Sequence, residues 1–146
     1  MFETVVIATD GSDSTKRGVR AALDLADRFD ATVHALYVLD ADEIHGTPEA
    51  VRDDLREAMQ TAGNKALSFV RDEGGGEVET AVREGKPADQ IIEYAREVDA
   101  DVISLGTRGR HGEHAFLLGS VAEAVARRAP MPVLTIRQLG DSEATA

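Results

Sequence analysis

The sequence contains no cysteine, which excludes disulfides, thiolate metal sites and thiol chemistry. Aromatic side chains are few, with four phenylalanines, two tyrosines and no tryptophan. No apolar run approaches the roughly 20 residues that a membrane-spanning helix requires. The N-terminus, MFETVVIATD, places no basic leader before its apolar segment. We therefore expect neither a signal peptide nor a membrane anchor, and we expect the protein in the cytoplasm.

Lysine is scarce, and acidic residues dominate the charge. The chain has 27 Asp and Glu against 16 Lys and Arg, and its formal net charge is −11. Such a surface repels nucleic acid and anionic lipid, so neither is an expected partner. We interpret the charge as a solvated acidic shell; a sharper hypothesis is a halophilic-type surface, on which dense carboxylates hold water in concentrated salt.

The high-salt hypothesis makes stability depend on salt. The free energy of unfolding should rise between low and molar KCl, because screening weakens the repulsion among carboxylates. Urea unfolding at several KCl concentrations measures this, and a midpoint that did not increase would contradict the hypothesis.

Short apolar segments alternate with amphipathic ones along the chain. Its 146 residues suit one domain, which we place at residues 1–138, followed by a loose tail at 139–146. Five segments rich in Val, Ile, Leu and Thr predict strands: 4–9, 31–38, 77–82, 101–106 and 132–136. Apolar residues at helical spacing, with Gly and Pro at the ends, predict four helices between them. The first contains Val19, Ala22, Leu23 and Ala26, the third starts near Pro87, and the fourth runs from Ser120 to Arg128. The second runs from about 48 to 73 and is predicted to bury Val51, Leu55, Met59, Ala62, Ala66 and Phe69 or Val70.

Strands separated by helices indicate right-handed crossovers, and hence an open parallel sheet with helices on both faces. The acidic segment 39–47 is predicted as a mobile loop. In such sheets, ligands bind outside the carboxyl ends of the strands, where the strand order reverses. The segments after the predicted strands are therefore the places to search for chemistry.

The first of these segments is Thr9-Asp10-Gly11-Ser12. A carboxylate at Asp10 can accept hydrogen bonds from a ribose diol, Gly11 permits a tight turn, and Ser12 or Ser14 can cap the next helix. The alternative is that Asp10 and Ser12 only form an Asx turn at the start of that helix. On these residues alone, the turn is the favoured interpretation.

The segment after the fourth predicted strand is rich in glycine and basic residues. Gly106 and Gly109 form a GxxG turn, and after nine intervening residues Gly119-Ser120 opens a predicted helix. Free N–H groups at a helix start, with the Ser120 hydroxyl, bind phosphate well. Arg108 and Arg110 lie in a stretch without acidic residues, which in so acidic a chain favours an anion site. The alternative is a flexible glycine loop with solvated arginines.

Together these segments resemble the universal stress protein family, specifically its ATP-binding branch. The resemblance rests on VVIATDGS at 5–12, GTRG at 106–109, GSVAE at 119–123 and PVLTI at 132–136, and it covers nearly the whole chain. It implies an α/β fold with an open five-stranded parallel sheet of order 3-2-1-4-5. It also implies a homodimer that pairs through the edge strand Val133–Ile136.

The resemblance further implies a nucleotide site for ATP, AMP or ADP, with Mg²⁺ arriving on the triphosphate. Ribose would lie on Asp10, and adenine against the backbone near Ala8 and Val38. Thr9 and Leu105 belong to the same predicted set. The phosphates would lie on the residues that match the glycine motif: Gly106, Arg108, Gly109, Gly119, Ser120 and Val121.

One departure from the family pattern is the loop interior RHGEHAFLL, which places His111, Glu113 and His114 where relatives carry small or basic residues. A zinc site at the two histidines is disfavoured, because no third ligand is evident nearby. We expect a nucleotide-dependent binding or signalling module in the stress response. The alternatives are a slow Mg-dependent ATPase and a dimeric scaffold without a ligand.

Other proteins of related architecture fit less well. A response-regulator receiver needs an acidic cluster after strand three, where this chain has Arg83-Glu84-Gly85. A flavodoxin needs a phosphate loop rich in Ser and Thr and aromatic residues around the flavin. ATP pyrophosphatases carry SGGxDS after strand one, whereas this chain reads DGSDS.

Overall fold

A computed structural model of the chain describes residues 2–75, 77–106 and 119–137, apart from the side chains of Asp13 and Ser14. Several sequence predictions fall outside these residues. They concern Arg108, Gly109, Arg110, His111, Glu113, His114 and the tail at 139–146.

The described residues form five strands and five α-helices, and helices separate successive strands along the chain, with two of them between the second and third strands. The strands are β1 (Thr4–Ala8), β2 (Thr32–Asp40), β3 (Val78–Gly85), β4 (Val102–Gly106) and β5 (Val133–Ile136). The helices are α1 (Asp13–Arg28), α2 (Ala41–His45), α3 (Arg52–Glu73), α4 (Pro87–Glu97) and α5 (Ser120–Arg128), with a single 3₁₀ turn at Glu49–Val51 before α3. Proline at the first position of α4 supplies a backbone angle suited to a helix start.

The strands form one parallel sheet of order β3-β2-β1-β4-β5, as the family resemblance implied. β1 lies at the centre and pairs with β2 on one side and β4 on the other. The strand order therefore reverses between β1 and β4, because β2 and β3 lie on one side of β1, and β4 and β5 lie on the other. This reversal is the position at which open α/β sheets bind ligands.

Helices cover both faces of the sheet and make two apolar clusters. One cluster packs α1 and α3 against one face, with Val5, Ile7 and Tyr37 almost fully buried. The other packs α4 and α5 against the opposite face, around Val6, Leu36 and similar side chains. Successive side chains of β1 and β2 point to opposite faces of the sheet, so each strand contributes to both clusters.

The segment 39–47, predicted as a mobile loop, is ordered instead. β2 continues to Asp40, and α2 begins at the next residue. The Asp40 carboxylate accepts a hydrogen bond from the Asp42 amide at 3.0 Å and so caps the helix. Ile44 has no exposed surface and packs into the cluster on the α1 and α3 face. A single buried isoleucine thus anchors a segment whose acidic composition suggested a solvated loop.

The buried face of α3 also differs in part from the prediction. Val51 and Ala62, both predicted to be buried, are exposed. Val51 is 45% exposed and precedes the helix. Gly63 takes a buried position on α3 because the Tyr37 ring lies against its backbone. A Cβ atom at Gly63 would lie 2.6 Å from Cδ1 of Tyr37, closer than real contacts allow.

The space around Gly63 and that around Gly18 differ, which predicts opposite effects when each is replaced by alanine. Gly63→Ala should lower the free energy of unfolding by about 1–2 kcal/mol, because overpacking outweighs the gain in helix propensity. Gly18→Ala on α1 should raise it by up to about 1 kcal/mol, because its Cβ would meet Ile136 at an ordinary 3.6 Å. Urea unfolding of both variants measures the two effects. Equal changes would contradict the packing described for Tyr37.

Among the helices of residues 2–75, 77–106 and 119–137, none combines the length and apolar composition needed to cross a bilayer.

Candidate functional site

A cavity of about 230 Å³ opens at the carboxyl ends of the central strands, on the α4 and α5 side of the sheet. Ala8 of β1, Leu36 and Val38 of β2 and Leu105 of β4 give it an apolar floor, and Ile91 of α4 forms one wall. The cavity therefore occupies the crevice between β1 and β4 that the strand order predicts.

Nine of the eleven site residues predicted from sequence line this cavity: Ala8, Thr9, Asp10, Val38, Leu105, Gly106, Gly119, Ser120 and Val121. The other two, Arg108 and Gly109, lie outside the described residues. Residues from the first and last thirds of the chain thus meet because β1 and β4 are neighbours.

The turn after β1 is built on Asp10. Its Oδ1 accepts hydrogen bonds from the Ser12 amide at 2.9 Å and from the Ser12 hydroxyl at 2.6 Å. Gly11 has φ of +79°, a conformation that glycine adopts without strain. The Asx turn considered as an alternative is therefore present. It engages only Oδ1, and within the described residues Oδ2 takes part in no hydrogen bond.

Two buried threonines, Thr9 and Thr15, stabilise this turn through hydrogen bonds. The Thr15 hydroxyl donates to the Ser12 carbonyl at 2.8 Å, and the Thr9 hydroxyl accepts from the Gly11 amide at 3.2 Å. The two hydroxyl oxygens lie 3.3 Å apart. Because Thr15 already donates elsewhere, the Thr9 hydroxyl is the donor between them. Ser12 occupies the N-cap position of α1, but its side chain makes no capping hydrogen bond. The other candidate cap, the Ser14 side chain, lies outside the described residues.

Helix α5 begins at the opposite wall of the cavity. Gly119 is its N-cap residue and has no side chain with which to cap the helix. The first intrahelical bond runs from the Glu123 amide to the Gly119 carbonyl at 2.8 Å. The amides of Ser120, Val121 and Ala122 precede that bond, and all three residues line the cavity. Helix geometry leaves these amides for an acceptor outside the helix.

The end of the cavity beside β2 is acidic. Asp40, two residues beyond Val38 on the same face of β2, lines it together with Glu43 of α2. Pro87 at the start of α4 completes this end. The cavity is thus asymmetric, with free helix amides at one end and two carboxylates at the other.

Sequence reasoning missed seven lining residues: Thr15, Leu36, Asp40, Glu43, Pro87, Ile91 and Ala122. For Leu36, the period-two pattern of β2 gave a usable signal, because it shares a face with Val38. Asp40 and Glu43 gave none, since acidic residues outside a predicted strand resemble a solvated loop.

The sequence model of the universal stress protein family matches residues 1–137. The chain belongs to the universal stress protein family. A relative from Methanocaldococcus jannaschii, a universal stress protein, is 38% identical over 142 residues, which are 94% of this chain and 84% of that protein. The universal stress protein YxiE of Bacillus subtilis is 31% identical, with 94% of this chain and all of that protein covered.

Solved structures of family members have the same fold. A universal stress protein from Lactobacillus plantarum superposes with a TM-score of 0.81 at 29% identity, covering 93% of this chain and 98% of that one. A universal stress protein in complex with cAMP gives a TM-score of 0.68 at 30% identity, and one from Archaeoglobus fulgidus in complex with dAMP gives 0.64 at 28%. Each of these two covers 94% of this chain and 98% of its own.

Proposed function

We propose that this protein binds an adenine nucleotide, with ATP as its physiological ligand, and acts as a nucleotide-dependent binding module in the stress response. One observation carries the proposal. The uncapped amides at the start of α5 and the Asp10 carboxylate line the same cavity, although they come from opposite ends of the chain. The relatives solved with cAMP and dAMP support an adenine nucleotide as the class of ligand.

The phosphates would lie at the α5 end. The amides of Ser120, Val121 and Ala122, together with the helix dipole, favour an anion at that position. The Ser120 hydroxyl adds a further donor. The ribose would then lie over the turn after β1, where Asp10 Oδ2 can accept from a sugar hydroxyl while Oδ1 keeps the turn in place.

The base would lie along β2. The Thr9 amide donates to the Leu36 carbonyl at 3.0 Å, so Leu36 directs its peptide groups toward β1. Every second residue of a strand directs its backbone N–H and C=O to the same side, so those of Val38 also point toward the β1 side. Because β1 ends at Ala8, opposite Leu36, an N–H donor and a C=O acceptor of Val38 face the cleft. Adenine presents the complementary pair, an acceptor at N1 and a donor at its 6-amino group.

Mg²⁺ would arrive with the triphosphate and keep phosphate oxygens and water as most of its ligands. Within the described part of the chain, no group of three or more His, Asp or Glu side chains is arranged to hold a metal ion. We propose binding rather than hydrolysis as the function. Single-turnover release of phosphate, with and without Mg²⁺, distinguishes this proposal from a slow ATPase.

Two measurements test nucleotide binding. Mass spectrometry of the purified protein should identify a co-purified adenine nucleotide, and calorimetry of the stripped protein should show binding of ATP. AMP and FMN are the comparison ligands, since AMP tests the triphosphate preference and FMN tests a flavin alternative. A protein that bound none of the three would be the ligand-free scaffold instead.

We also propose a homodimer through β5. Its strand Val133–Ile136 lies at the edge of the sheet, and only one neighbour, β4, pairs with it among the described strands. An unpaired edge of this kind favours strand addition by a second copy. Light scattering at micromolar concentration should give the mass of a dimer, and a monomer would contradict the proposal.

A further inference from the structure

Two buried hydroxyl groups border the cavity beside the turn that carries Asp10. Among the described residues, the buried Ser and Thr side chains are Thr9, Thr15 and Ser104. Thr9 and Thr15 line the cavity, whereas Ser104 does not. Burial of a hydroxyl is unfavourable unless the group is hydrogen-bonded. The two threonines find their partners in each other and in the turn after β1.

These partners form a chain of hydrogen bonds with a single direction. The Gly11 amide donates to the Thr9 hydroxyl at 3.2 Å. The Thr9 hydroxyl donates to the Thr15 hydroxyl at 3.3 Å, and the latter donates to the Ser12 carbonyl at 2.8 Å. The chain therefore fixes the peptide groups on both sides of the Gly11-Ser12 unit.

The turn depends on such bonds because it contains a glycine. Gly11 has φ of +79°, and glycine leaves a given backbone conformation more readily than other residues do. The bonds from Ser12 to Asp10 Oδ1 lie within the turn and move with it. The threonine chain instead ties the turn to one buried residue before it and one after it. It thereby sets the direction of the Asp10 carboxylate.

We propose that Thr15 is a positioning residue of the nucleotide site, whose hydroxyl holds Asp10 so that the free Oδ2 accepts a hydrogen bond from a ribose hydroxyl. The inference rests on the proposed nucleotide binding. The Thr15 hydroxyl already donates its proton to Ser12, so the residue acts through Asp10 and not on the ligand. A ligand that meets an acceptor already held in place does not have to order it on binding, and binds more tightly for that reason.

The test uses variants that remove or keep single hydroxyls. Thr15→Val removes the hydroxyl and keeps the size of the side chain. The Thr15 amide still donates to the Ser12 carbonyl at 3.1 Å, so the start of α1 is retained. Thr15→Ser keeps the hydroxyl and is the conservative variant. Ser104→Ala is the matched control, because it removes a buried hydroxyl of β4 outside the cavity.

Calorimetry with two ligands separates positioning from a general structural effect. The ligands are ATP and 2′,3′-dideoxy-ATP, which lacks both ribose hydroxyls. We expect Thr15→Val to weaken ATP binding about three- to tenfold and dideoxy-ATP binding less than about twofold, because the lost hydrogen bond acts only on the ribose contact. Thr15→Ser should restore ATP affinity, and Ser104→Ala should leave it unchanged. Damage to the fold would weaken both ligands alike.

Two further variants sharpen the test. Thr9→Val interrupts the same chain at its other hydroxyl and should give the same pattern, so the test remains decisive if Thr15→Val does not fold. Asp10→Ala removes the group through which Thr15 is proposed to act. In that background Thr15→Val should weaken ATP binding by less than about twofold more, because substitutions that act through one group are not additive.

Several results would overturn the inference. They are full ATP affinity in Thr15→Val, equal losses for ATP and dideoxy-ATP in that variant, or additive losses in the double variant with Asp10→Ala. If the unmodified protein binds the two ligands equally, the ribose contact and this inference fail while the proposed ATP binding stands. If it binds neither ligand, the proposed function fails and this inference with it.

Discussion

Ser120→Asp is expected to lower ATP affinity by at least about 100-fold. Ser120 is the first residue of α5 and lines the cavity where the phosphates are proposed to bind. Two like charges about 4 Å apart repel by roughly 4 kcal/mol at an effective dielectric constant near 20. Even if solvent removed a third of that repulsion, about 2.7 kcal/mol would remain, which corresponds to the stated factor.

The same substitution should leave the fold intact. An acidic residue in the first turn of a helix interacts favourably with the helix dipole. The thermal midpoint of Ser120→Asp should therefore equal or exceed that of the unmodified protein. If the variant loses ATP binding but keeps its stability, the loss of binding results from repulsion of the phosphates and not from unfolding.

Two further variants complete this experiment. Ser120→Ala removes only a hydroxyl donor and should weaken ATP binding by about fivefold. Ser68→Asp adds the same charge on an exposed position of α3, which covers the other face of the sheet, and should change affinity little. Calorimetry gives all three constants. If Ser120→Asp bound ATP within threefold of the unmodified protein, the phosphates could not lie at α5.

Ile44→Ala should lower the free energy of unfolding by about 3 kcal/mol. Ile44 is fully buried, and its truncation removes apolar burial and leaves a cavity, for which 2–5 kcal/mol is typical. Because α2 has only five residues, little within the helix itself can compensate. Chemical unfolding monitored by circular dichroism measures the loss.

Val51→Ala is the matched control for this prediction. Val51 lies seven residues further along the chain and is 45% exposed. Truncation of so exposed a side chain should change stability by less than about 0.5 kcal/mol. Similar losses in both variants would mean that Ile44 does not anchor the segment before α3.

The architecture was largely predictable because its signals are periodic. Five apolar segments with β-branched residues, separated by amphipathic ones, indicate a parallel sheet, and each predicted strand overlaps an observed one. The order of the strands came from the family resemblance, and the structure confirms it. Periodicity alone does not determine strand order, since pairing of β1 with β4 depends on contacts between residues about two thirds of the chain apart.

The parts of the cavity at which phosphate and ribose are proposed to bind were predictable for a different reason. Gly119, Ser120 and Asp10 carry local signals, namely a glycine before a helix start and a carboxylate after a strand. The acidic end lacked any such signal. Helix α2 is shorter than one and a half turns, so no apolar repeat can appear in it, and Ile44 stands alone among polar neighbours.

Val51 illustrates the limit of helical periodicity at a helix end. It fits the apolar spacing of α3, yet it lies in the 3₁₀ turn that precedes the helix and so leaves the buried face. Gly63 shows the opposite case. Its small size carries no apolar signal, but the bulk of Tyr37 on β2 requires a residue without a side chain at that position.

The hydrogen bonds that connect the start of the chain to Asp101, just before β4, have a consequence for the rates of folding and unfolding. The Asp101 carboxylate accepts from the amides of Glu3 and Thr4 at 2.8 Å and 3.0 Å, across 98 and 97 residues of sequence. Because such non-local contacts slow folding, we expect the central crevice to assemble late. A ligand that recognises only the finished crevice cannot assist the earlier steps. It should therefore prolong the lifetime of the native state while leaving the rate of its formation unchanged.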